Sequence, residues 1–159
     1  MPIDDDSIDD FLLNELDFPR DYKEMKHPDD YKIVDSFPAN FKIYSNLGKH
    51  TRLLARVAWK TNNEKFIPMT FVCNTGAPGS FYLSVEARDI LRSKGILKNT
   101  DLGSEYVEIK RNDIESFKVR VENTPHAFRN ANVIGLKLLM VLGLRVTEEG
   151  FSFISFNFF

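Results

Sequence analysis

A chain of 159 residues has room for one domain and an extension, which excludes two large domains. At 43% hydrophobic and 13% aromatic residues, a packed core is expected. The net charge is -2, and Lys and Arg are scattered among acids, so the basic excess or stripe of a nucleic-acid binder is missing. The single cysteine, Cys73, cannot form an intramolecular disulfide, which points to a reducing compartment. It lies in an apolar run without a basic neighbour, the setting of a small buried hydrophobe rather than a nucleophile. Asp4-Asp5-Asp6 stands where a signal peptide would carry basic residues, and no apolar run reaches the length of a membrane span. The expectation is a soluble protein, cytoplasmic or otherwise intracellular, with no membrane or nucleic-acid partner.

Residues 1–36 read as an acidic N-terminal extension, either an arm packed on the domain or partly disordered, and residues 37–159 as the domain itself. Within the extension, Ser7 can cap a short helix that puts Ile8, Phe11, Leu12 and Leu16 on one face before Pro19 stops it. An acidic docking motif is the sharper reading of this face; an arm is the plainer one. Short strands are expected at 41–44 and 53–59. Thr61-Asn62-Asn63-Glu64 then reads as a hairpin connection and Phe66 to Cys73 as the return strand.

That strand runs into the small-residue turn Asn74-Thr75-Gly76-Ala77, followed by the short run Ser80-Phe81-Tyr82-Leu83. Ser84 is a good N-cap for a helix over 85–95, with Val85, Ile90 and Leu91 on its apolar side and Gly95 as its stop. Two more strands are expected at 106–110 and 116–121, with turn chemistry at Asn112-Asp113. After a polar loop comes Val133-Ile134-Gly135, then a short helix over 137–142 ended by Gly143. Phe151 to Phe159 has strand composition with a phase shift at 153–154, and so apolar a strand must be covered by the core or by a second subunit.

A hairpin, a strand ending in Asn-Thr-Gly-Ala, a helix, and Val-Ile-Gly about sixty residues later together resemble the single-domain retropepsin-like aspartic peptidases. The signature of that family's active-site loop is Asp-Thr/Ser-Gly-Ala, and here Asn74 takes the place of the Asp. The resemblance implies a mainly β fold, a retropepsin-like closed β-barrel protomer with one or two short helices, working as a homodimer on a polypeptide substrate without a cofactor or metal. It places Asn74, Thr75 and Gly76 at the catalytic loop and Ala77 against the substrate. Val133, Ile134 and Gly135 become the strand behind the loop, where glycine permits a close backbone crossing. The family often carries an Asp two residues after that glycine; here it is Lys137. A flap is expected between Lys98 and Glu115, either at Gly103-Ser104 or at the turn Arg111-Asn112-Asp113.

The family's chemistry needs two carboxylates sharing one proton, one taking a proton from water and the other donating to the substrate carbonyl. A side-chain amide does not ionise in that range. The expectation is therefore a peptidase fold that is inactive as written, by an inactivating substitution or, alternatively, as a natural pseudo-peptidase kept for dimerisation or peptide binding. Other chemistry is weaker. His27, His50 and His126 lack acidic partners at metal spacing. The Asp runs lack the glycine and terminal glutamate of a calcium loop. Neither Ser80 nor Ser84 has a histidine placed to activate it.

Overall fold

The computed structural model describes residues 27–36, 41–47, 50–110, 115–125 and 129–153. Among these residues the elements run, in order, β1 Phe41–Leu47, β2 His50–Lys60, β3 Phe66–Asn74, β4 Phe81–Tyr82, α1 Val85–Ser93, β5 Lys98–Asn99, β6 Glu105–Lys110, β7 Ser116–Glu122, β8 Val133–Gly135, α2 Leu136–Leu142, β9 Leu144–Thr147 and β10 Gly150–Phe153. The protein is mainly β. Among the described residues no helix is long and apolar enough to cross a membrane.

Eight strands pair in the order β1-β2-β3-β8-β4-β7-β6-β5, and β9 with β10 forms a separate hairpin. Long antiparallel ladders join β1 to β2 and β2 to β3, from Leu53 opposite Cys73 to Lys60 opposite Phe66. At the centre β8 runs parallel to β3 and antiparallel to β4. The sequence pattern follows this order. From Ile67 to Cys73 the third strand is buried without a break, as a strand covered on both faces must be. Strands β6 and β7 alternate: Val107, Ile109, Val119 and Val121 face the core, while Glu108, Lys110, Lys118 and Arg120 face out. Trp59, Phe71 and Phe81 meet as tilted rings, with centroids 5.9 and 5.3 Å apart.

The closed barrel expected from the sequence is not formed among the described residues. The pairing order ends at β1 and β5, and these two are not paired with each other. β5 is only two residues long with both side chains exposed, too short a ladder to carry a closure. The expected strand at 151–159 is confirmed only as Gly150–Phe153, because 154–159 lies outside the described residues, as does the helix expected after Ser7. Its partner β9 was not anticipated. Phe151 and Phe153 point to one side, buried, with their rings edge to face 5.8 Å apart.

Helix α1 starts as expected: the Ser84 hydroxyl accepts a hydrogen bond from the Ala87 amide at 3.0 Å. Its buried side differs from the expected one. Ala87 and Leu91 are fully buried and Ile90 is half-buried, but Val85 is 52% exposed. Val85 is the first helical residue, and the core contact of this face is taken by Ala87, one turn short of Leu91. Helix α2 ends at Gly143 with φ 71°, a left-handed cap whose amide donates to the carbonyls of Leu139 and Met140.

Residues 27–36, the end of the acidic extension, dock on the sheet. The Tyr31 amide donates to Pro68 O at 2.9 Å, and Val34 exchanges two backbone hydrogen bonds with Phe66, each 2.8 Å. Asp30 is the buried anchor. It accepts from the Thr70 hydroxyl at 2.7 Å and pairs with Arg56 Nε at 3.3 Å. The Tyr31 hydroxyl lies 3.1 Å from Ser84 Oγ and accepts from Asn132 Nδ2 at 2.7 Å.

Candidate functional site

The turn after β3 is built by its own residues. Asn74 Oδ1 accepts the Gly76 amide at 2.9 Å, and the Asn74 carbonyl accepts the Ala77 amide at 3.2 Å. This side-chain-to-backbone closure is the habit of Asn and Asp in turns. It leaves Asn74 half-buried and Thr75 exposed at the tip, with Ala77 fully buried beneath.

Behind the turn, β8 pairs with β3 in register: Val133 with Val72, Ile134 with Cys73 and Gly135 with Asn74. The returning chain then laces into the turn. The Gly135 amide donates to Ser80 O at 2.8 Å, Leu136 to Ala77 O at 2.7 Å, and Lys137 to Gly79 O at 3.3 Å. Gly135 is where two backbones cross. A Cβ on it would collide with Gly79 O and stand 2.8 Å from Ala77 O, so only glycine fits.

Asn74, Thr75, Gly76 and Ala77 are thus brought together with Val133, Ile134 and Gly135. Gly103 and Ser104 are in a different turn, between β5 and β6 at the far end of the pairing order. There the Thr100 amide donates to Ser104 O at 2.7 Å and Gly103 takes φ +85°. Leu102 stands at the tip of that turn, 95% exposed. The alternative flap residues, Arg111, Asn112 and Asp113, lie outside the described residues.

Several residues that support the site carry no signal in the sequence pattern. The Tyr82 hydroxyl accepts the Gly79 amide at 2.8 Å and so fixes the far limb of the turn. Asn132, buried just before β8, accepts the Ser84 amide at 2.9 Å and donates to Tyr31. Its carbonyl also accepts the Val72 amide at 2.9 Å. Asn132 therefore ties β3, the cap of α1 and the docked arm to one point. A polar residue just before an apolar strand reads as a loop residue, so only its burial reveals the role.

The chemistry open to this turn is narrow. Asn74 presents an amide, not an acid or base. Burial pushes the Cys73 thiol well above the ordinary cysteine range, which keeps it protonated and inert at neutral pH. Among the described residues no group of three or more His, Cys, Asp or Glu could hold a metal ion. No protein-family model, curated protein or solved structure matches the chain.

Proposed function

We propose that this chain is one protomer of a homodimeric retropepsin-type peptidase, silenced by Asn74, whose carboxylate form hydrolyses polypeptides. One observation carries the reading: the Asn-Thr-Gly-Ala turn lies against a parallel Val-Ile-Gly strand, with Asn74 opposite Gly135. That crossing pins the turn by backbone contacts on its inner side and turns Thr75 outward. An exposed threonine at such a tip suits a contact with the same turn of a second copy across a two-fold axis.

In the carboxylate form, the two residues at position 74 would face each other with water between them. One, ionised, takes the proton from water as it attacks the peptide carbonyl; the other, protonated, donates to the carbonyl oxygen. Carboxylates this close share one proton and titrate as a pair. Asn74 keeps the turn's hydrogen bond to Gly76 through Oδ1 yet supplies neither proton transfer, so the frame survives and the reaction stops.

The test is Asn74→Asp in the full chain, with cleavage of a peptide library followed across acidic to neutral pH and the mass in solution measured by light scattering. The reading expects a dimer in both forms, with pepstatin-sensitive cleavage and a bell-shaped pH profile only in the Asp form. A monomer in both forms overturns it. A dimer that stays inactive with Asp overturns the peptidase half and favours a binding module on the same frame.

A further inference from the structure

Strand β8 is only three residues long, so its place along β3 depends on what fixes its two ends. One end is the lacing of Gly135, Leu136 and Lys137 into the turn after β3. The other is Asn132, fully buried and directly before Val133. The Asn132 carbonyl accepts the Val72 amide at 2.9 Å, and its Oδ1 accepts the Ser84 amide at 2.9 Å. Its Nδ2 donates to the Tyr31 hydroxyl at 2.7 Å and to Thr70 O at 3.4 Å. Three of these bonds go to β3 or to the cap of α1. The fourth, and the shortest, goes to the docked arm.

The arm grips β3 as well. Val34 exchanges backbone bonds with Phe66, the Tyr31 amide donates to Pro68 O, and the Thr70 hydroxyl donates to Asp30. From that hold Tyr31 reaches Asn132, 101 residues on. Residues 30 and 31 therefore bridge β3 and the start of β8 at the end away from the turn. A shift of β8 there has no slack to absorb it. Gly135 already lies against the backbone oxygens of Ala77 and Gly79, so the strand cannot slide without moving the turn.

We propose that Tyr31 is a positioning residue for the Asn74 turn. It holds Asn132, Asn132 fixes the start of β8, and β8 carries that position to the turn at Gly135. The docked arm thereby becomes a control on the site, and reciprocally a second copy or a peptide bound at the turn tightens the arm. This coupling goes beyond the peptidase reading and does not rest on it, since it is a property of the frame around position 74.

A double-mutant cycle in the full chain tests it, by urea unfolding of Tyr31→Phe, Asn74→Ala and the pair. The first change removes the hydroxyl and keeps the ring; the second removes the Oδ1 bond to the Gly76 amide. Independent sites multiply their effects on the unfolding constant to within about twofold. The coupled frame expects the pair to fall short of that product by about threefold or more, because a turn already loosened from the arm has less to lose at Asn74. A product met within about twofold overturns the proposal. Amide proton–nitrogen spectra give a second reading. Tyr31→Phe moves the signals of Gly76, Ala77 and Gly135 as well as those of Ser84 and Asn132, and movement confined to Ser84 and Asn132 overturns the coupling. Asp35→Asn, at the exposed end of the arm, leaves the Gly76 and Ala77 signals in place. Equal movement in that variant overturns the assignment to Tyr31.

Discussion

The crossing of the turn over β8 and the docking of residues 27–36 lie on one sheet and are held by opposite means. At the crossing almost every bond is backbone to backbone, from Gly135, Leu136 and Lys137 to the carbonyls of Ser80, Ala77 and Gly79. Side chains matter there mainly by being small. At the docked arm the decisive bonds come from side chains: Asp30 to Thr70 and Arg56, and Tyr31 to Ser84 and Asn132. A backbone lattice tolerates changes of side chain until one needs space, whereas a polar cluster tolerates changes of shape until one partner is lost.

Substitutions at the two places should therefore fail differently. Gly135→Ala is the largest effect, because its Cβ meets backbone oxygens that cannot move aside. The expected loss is about 4 kcal/mol or more, read as a collapsed melting transition, while Leu136→Ala nearby is mild. Next is Asp30→Ala. The Asp30 and Arg56 side chains are 3% and 9% exposed, and removing one leaves the other charge buried. Urea unfolding should show a loss of about 3 kcal/mol, with Asp30→Asn between the two. Tyr31→Phe keeps the ring and removes the hydroxyl between Ser84 and Asn132, for about 1 kcal/mol by the same measurement. If Tyr31→Phe cost as much as Asp30→Ala, the division between the buried charge and the neutral hydrogen bonds would be wrong.

The smallest effect is at the exposed end of the arm. Lys65 donates a 2.7 Å hydrogen bond to Asp35, and that bond, with the attraction of the ammonium, holds the carboxyl below the usual aspartate range. A lowered value in the folded state means that the contribution is present above the ordinary aspartate pKa. It is lost as pH falls through the lower, folded value. Melting curves of Asp35→Asn should nearly overlay the parent at neutral pH, with the small remaining gap closing in acid, since both side chains are solvated.

The same contrast explains how far the sequence was legible. The turn and its backing strand were readable because Thr75-Gly76-Ala77 and Val133-Ile134-Gly135 each impose a backbone requirement visible in one short stretch. The start of α1 at Ser84 and the end of α2 at Gly143 were readable for the same reason. The arm's anchor was not, because Asp30 and Tyr31 find their partners 26 to 101 residues away, and no local pattern marks them. Val85 was misplaced because an apolar residue in the first turn looks like core by periodicity, while Ala87 fills the core position instead. The missing closure of the sheet among the described residues reflects the two-residue β5, whose polar Lys98-Asn99 gave no sign of a strand.

The place of β8 in the sheet bears on how the protein is made. Its three residues stand between β3 and β4, which among the described residues have no other partner on those sides. During synthesis both margins wait, open, until residue 135 has emerged, and joining them demands contact across some sixty positions. Assembly of the sheet should be slow at this last insertion, and a chain halted before it would present two bare edges to its neighbours and clump.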